Sequence, residues 1–136
     1  VVTGTATVTS YTDYRELEAM TVLKPFDAVM FFPGVPTASA IVAQIVAARP
    51  LLFPGNLAGS AGYGKTSATA STVFDVKKNG SSVGSITFAA AGTVPTFSTT
   101  AGSAIALATG DRLEVIAPAT PDATLANISF TLAGTR

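Results

Sequence analysis

The stretch STVFDVKKNGSSVGSITFAA, residues 71–90, limits what this chain can fold into more than any other feature. Ser71, Val73 and Asp75 alternate with Thr72, Phe74 and Val76, the period-two pattern of a strand with one buried face. The run stops at Asn79–Gly80, a dipeptide that accepts the positive φ values of a two-residue hairpin turn. Residues Ser82–Ala90 then form the return strand. Pairing the two runs about the turn puts Phe74 and Val76 on one side, with Ile86 and Phe88 as core neighbours. A chain organised around such a hairpin is committed to antiparallel β structure.

Other runs have the same character. Val2–Thr9 and the segments TVPTFST, AIALA, RLEVIAP and NISFTLAG are short and rich in β-branched or apolar residues, with TTAGS, TGD and ATPDAT as turns. FDAVMFF, Phe26–Phe32, reads as a buried strand ended by Pro33–Gly34. The segment ASAIVAQIVAARPLLF mixes helix-favouring Ala and Gln44 with Ile41, Val42, Ile45 and Val46. It is assigned to strand because the rest of the chain is strongly β. TDYRELEAM is the one helical fragment: Thr12 or Asp13 caps it, Glu16 falls at capping-box spacing, and Tyr14, Leu17 and Met20 share a face. Some seven to nine strands punctuated by Gly, Pro and Asp predict an all-β antiparallel sandwich of jelly-roll type, with one short N-terminal helix near residues 13–20. Consecutive strands joined by short turns are expected to pair. The 136 residues make one domain, with 1–25 as an N-terminal arm and 26–136 as the sandwich.

Charge narrows the partners. Eight basic and eight acidic residues leave a formal net charge of zero, and charged residues make up 12% of the chain. That is about half the share of an ordinary globular domain, and it offers nothing to nucleic acid or an anionic membrane. A surface so poor in charge suits contact with other subunits. Cysteine and histidine are both absent, which excludes disulfides, thiol chemistry, imidazole bases and Cys- or His-ligated metals. No apolar run approaches the ~20 residues of a membrane span, and VVTGTATVTS lacks the basic and apolar regions of a signal peptide. No cofactor is expected.

One motif demands a decision. GSAGYGKT, Gly59–Thr66, fits the phosphate-loop pattern, which would place Lys65 on a terminal phosphate and Thr66 on magnesium. That chemistry needs a helix N-terminus directly after the glycines, where unpaired N–H groups and the helix dipole hold the anion. Here a strand-like, β-branched run follows instead. The expectation is a surface loop that binds no nucleotide, with Lys65 in solvent.

The second half of the chain carries a likeness. Phe74 entering Lys78–Asn79–Gly80, the return run Val83–Phe88, Gly110–Asp111 before an apolar strand, and Pro121–Ala126 form its landmarks. With them, residues 50–136 resemble a β-sandwich domain recurrent in tailed-bacteriophage structural proteins, notably at the C-terminal ends of tail-fibre-like and appendage proteins. The resemblance implies a sandwich fold, a place on the virion and the trimeric symmetry usual for such parts. Residues 1–30 carry no such likeness. The landmarks also have plain local roles: Asp111 and Asp122 can accept backbone N–H bonds in turns.

Enzymatic chemistry finds no foothold. Glycoside hydrolysis needs two carboxylates about 5–10 Å apart, yet Glu114, Glu16 and Glu18 lie in surface-like strand or helix contexts. A serine hydrolase without histidine would need a Ser–Lys pair, and Ser60 and Lys65 are loop residues without an elbow. The expected function is therefore a non-enzymatic virion structural protein, a tail-fibre or surface-appendage domain that contacts the host. A capsid-decoration protein and a carbohydrate-binding module are the alternatives. The expected partners are further copies of the chain, as a trimer, other virion proteins and a host surface glycan, with Val1–Thr9 as the arm that reaches a neighbour. Sugar contact needs exposed aromatics. Among Tyr11, Tyr14 and Tyr63, the best placed is Tyr63, beside Lys65. Loops Asn56–Thr66, Ala91–Thr93 and Ala119–Thr124 are the expected contact surface.

Overall fold

The computed structural model describes residues 23–136, and it builds them from strands. They are β1 (Pro25–Phe32), β2 (Ile41–Val46), β3 (Leu51–Phe53), β4 (Ala61–Thr66) and β5 (Thr72–Lys78). After them come β6 (Ser81–Phe88), β7 (Thr96–Thr99), β8 (Ile105–Leu107), β9 (Arg112–Ile116) and β10 (Ala126–Thr135). Two antiparallel sheets face each other: one in the order β1-β10-β3-β8, with β4 also on β10, and the other in the order β2-β9-β5-β6-β7. The protein is an all-β sandwich. The expected strand at Val2–Thr9 and helix at residues 13–20 lie outside the described residues.

The central hairpin forms as its residues dictate. Asn79 and Gly80 sit at φ 49° and 88°, both left-handed, and leave Lys78 paired with Ser81. Phe74 then lies opposite Ile86, and Phe74, Val76, Ile86 and Phe88 are fully buried. Phe130 of β10 meets them from the facing sheet. Its ring centroid lies 6.1 Å from that of Phe74 and 6.3 Å from that of Phe88, while Phe74 and Phe88 are 5.9 Å apart. These edge-on and tilted contacts are the preferred aromatic geometry, and they tie the two sheets at the centre of the core.

Pairing between consecutive strands holds for β5–β6 and β6–β7; elsewhere the chain crosses from one sheet to the other or passes to a non-adjacent strand. The Ala-rich segment shows why. Its two apolar runs do form strands, but Arg49 and Pro50 intervene, and β2 joins β9 while β3 joins β8 and β10. Such crossings place the partners of each strand far away in sequence, where local turn signals do not reach.

Two expectations are corrected. Phe26–Phe32 is a strand but not a buried one. β1 is the edge of its sheet, so Ala28 faces the core while Val29 and Phe31 are 74% and 61% exposed. Gly59–Thr66 is not a surface loop, since Ala61–Thr66 is β4, paired antiparallel with Ala126–Thr131 of β10. β4 shares that edge of β10 with β3, which pairs near Thr135. Between them Ser60 Oγ accepts the Ala133 N–H at 3.0 Å, so the ladder of β10 is satisfied across the break.

Candidate functional site

The glycines of GSAGYGKT have a packing role. Within β4, Gly62 and Gly64 face inward and Ala61, Tyr63 and Lys65 face outward, as period two requires. A Cβ at Gly64 would stand 2.6 Å from Leu125 Cδ1 and 3.4 Å from Phe88 Cε1. One at Gly62 would stand 2.7 Å from Pro95 Cγ and 3.2 Å from Phe130 Cδ1. Glycine is required here because the aromatic core and the Pro95 loop press against the strand. The backbone is engaged too: the Gly64 N–H donates to Thr93 O at 2.8 Å. No helix follows the motif, so its N–H groups do not converge on an anion.

Outward, β4 joins β10 and β1 in one continuous sheet face. Register aligns Phe31 with Ser129 and Ser129 with Tyr63, one row across three strands. The next row aligns Val29, Thr131 and Ala61. Phe31 and Tyr63 therefore flank the small Ser129 at two strand spacings, roughly 10 Å, and Tyr63 is 51% exposed. Lys65 is exposed at one end of this face and Asp27 at the diagonally opposite end. Among the described residues the Lys65 side chain makes no ion pair. Tyr63 and Lys65 thus do share a surface, on a strand. Phe31 was not among the expected contact residues, although the odd-numbered residues Asp27, Val29 and Phe31 share one side of the strand, and the polar Asp27 marks that side as the outer one.

The expected loop surface divides. Asn56 belongs to a single turn at Gly55–Leu57 that clamps β7: its N–H donates to Thr99 Oγ1 at 2.8 Å and its Oδ1 accepts the Thr99 N–H at 3.2 Å. The other two loops meet the β4–β5 connection at one end of the sandwich. Asp122 organises them: one carboxylate oxygen accepts from Thr69 N, Thr69 Oγ1 and Ala70 N, and the other from Thr124 N, Thr124 Oγ1 and Leu125 N. The Thr69 hydroxyl leads in holding this carboxyl far below the usual carboxylate range, with Thr124 and the Ala70 N–H adding to it against the cost of burial. Ala91 N bonds to Ala68 O at 2.8 Å, which fixes the third loop. The end is stapled, and its carboxylate is fully occupied.

Asp111 and Glu114 are similarly engaged. Asp111 accepts from Asn79 Nδ2 and Ala108 N at 2.8 Å each and pairs with Lys78 at 3.1 Å. The Asn79 bond first, then Ala108 and Lys78, bring its pKa down to about 2. Glu114 is buried, not surface-like: Arg112 Nε lies at 3.0 Å and Gln44 Nε2 donates to it at 3.2 Å. Ser60, the nucleophile considered with Lys65, is the acceptor of Ala133 described above. Among the described residues no three acidic side chains gather as a metal site, and no helix is long and apolar enough to cross a membrane. Comparison with protein-family models, with curated proteins and with solved structures yields no match.

Proposed function

We propose that the chain is a non-enzymatic structural component of a bacteriophage virion, a tail-fibre or appendage domain at the particle surface. It contacts a host glycan through Tyr63 and Lys65, joined by Phe31. The observation that carries the contact is the exposed row Phe31–Ser129–Tyr63. Aromatic rings on paired strands lose little conformational freedom on binding, and their faces suit the apolar side of a pyranose. Lys65 adds a donor, and in a domain with so few charges it confers selectivity for an acidic or hydroxyl-rich sugar.

The architecture supports the same reading. If β3 and β4 count as one interrupted strand and β7 and β8 as another, eight strands remain. Their order is then first–eighth–third–sixth in one sheet and second–seventh–fourth–fifth in the other, with β7 closing the second. That order matches the double Greek key of a jelly roll and so supports the jelly-roll reading, a fold frequent among viral capsid proteins. The landmarks of the phage resemblance coincide with its joints: Asn79–Gly80, Asp111 and Asp122. Low charge and the exposed apolar face favour assembly with further copies, as a trimer, and with other virion proteins.

The test is location together with adsorption. Labelled protein on intact particles maps to the tail, and Tyr63→Ala weakens attachment to host cells while leaving the fold intact. A position in the capsid lattice, with Tyr63→Ala particles adsorbing normally, replaces this reading with capsid decoration.

A further inference from the structure

Sheet edges in this fold are short, covered or irregular, with one exception. β8 has three residues and β7 four, β4 receives the Thr93 loop, and β2 carries a bulge between Ile41 and Ala43. β1 runs eight residues, and among the described residues nothing pairs with its outer side. Its defences, Pro25 and Asp27, sit at one end and leave Ala28–Phe32 unguarded. The ladder fixes which groups are unpaired. Lys24 N bonds to Arg136 O at 3.1 Å and Arg136 N to Lys24 O at 2.9 Å. Alternation along an antiparallel pair then assigns Phe26, Ala28, Met30 and Phe32 to β10. Asp27, Val29 and Phe31 turn their N–H and C=O groups to the open edge, and a row of free donors and acceptors between apolar side chains is a template for another strand.

We propose that this edge accepts residues Val2–Thr9 of a neighbouring copy, so that strand exchange joins the subunits. The inference rests on the assembly part of the proposed function and names the surface that performs it. VTGTATVT is β-branched and uncharged, long enough to span the open groups of Asp27, Val29 and Phe31. A second copy is favoured by the connection. Residues 10–24 separate the segment from β1, whereas a hairpin folding back on its own strand uses about 2–5 residues. With the expected helix at residues 13–20 the connection still reaches roughly 35 Å, far more than a hairpin needs and enough to carry the segment to the next copy. Each copy gives a strand to the next and receives one from the last. Such a head-to-tail contact closes as a ring when the rotation permits, which suits a trimer.

The test uses the full chain, with amide hydrogen exchange and light-scattering mass measured on the same samples. In the assembled protein the amides of Asp27, Val29 and Phe31 exchange at least about 100-fold more slowly than unpaired amides. The double substitution Thr5→Pro/Ala6→Pro, which removes a ladder donor from the arriving strand in either register, and dilution to monomer each restore fast exchange. Val29→Pro, which blocks the receiving edge while sparing the bonds to β10, lowers the mass to that of a monomer. An assembled protein whose three amides exchange freely overturns the edge proposal and leaves assembly standing. Slow exchange that persists in the monomer also overturns it, and a chain monomeric at every concentration overturns both.

Discussion

Replacing Gly64 with Ala separates a packing role for GSAGYGKT from a phosphate-binding one. The new methyl would lie 2.6 Å from Leu125 Cδ1, and Leu125 is 1% exposed, so it has little room to retreat. Overpacking of this kind costs about 1–3 kcal/mol. Gly64 is not in the left-handed region, so the substitution also stiffens the unfolded chain, which offsets about 0.4–1 kcal/mol. A net loss of roughly 1–2 kcal/mol remains. For 136 residues the unfolding entropy near the midpoint is about 0.3 kcal/mol/K, so Tm falls by about 3–7 °C. Differential scanning calorimetry of a double-mutant cycle reads this directly. In a Leu125→Ala background, where the colliding methyl is gone, Gly64→Ala should be neutral or stabilising. A Gly64→Ala protein as stable as the parent, or the same loss in both backgrounds, refutes the packing argument. Micromolar nucleotide binding abolished by Lys65→Ala would restore the phosphate loop.

Other consequences are as specific. Asp111, with its pKa lowered to about 2, and Asp122, lowered further still, are both depressed from 3.8, so their stabilisation is complete above about pH 4 and lost as pH falls through the folded values. Urea midpoints should therefore stay level from pH 7 to about 5 and drop below about 4, and Asp122→Asn should lower the plateau and flatten the drop. Asn79→Ala loses the left-handed preference of the turn together with bonds to Asp111 and the Arg112 N–H, and should cost about 1–3 kcal/mol by chemical denaturation. Asn79→Gly keeps the turn and should cost less than Asn79→Ala.

What could be read in the sequence was what is decided locally. The Asn79–Gly80 turn follows from the φ tolerance of two residues, and the burial of Phe74, Val76, Ile86 and Phe88 follows from alternation about that turn. The turn roles of Asp111 and Asp122 were also visible, although the bonds to Asn79 and Thr69, more than 30 residues away, were not. β4 escaped because glycine weakens strand propensity. The strand exists because β10 pairs with it and because Phe130 and Leu125 need the volume its glycines leave. Phe31 escaped for a related reason: exposure depends on which side of a strand is covered, and β1 is an edge whose neighbour in the sheet is the last strand of the chain. Tyr63 and Lys65 could be named from type and spacing. Their partner across Ser129 could be named only once β1, β10 and β4 were in register.

The most direct measurement is a two-dimensional NMR titration of the protein with oligosaccharides from the host surface. Binding at the proposed site shifts the resonances of Phe31, Ser129 and Tyr63 together, with Lys65 at the margin, and leaves the Asp122 end of the sandwich unchanged. Shifts that cluster on Asp122 and its loops, or no shifts at saturating sugar, contradict the assignment of this sheet face as the contact surface.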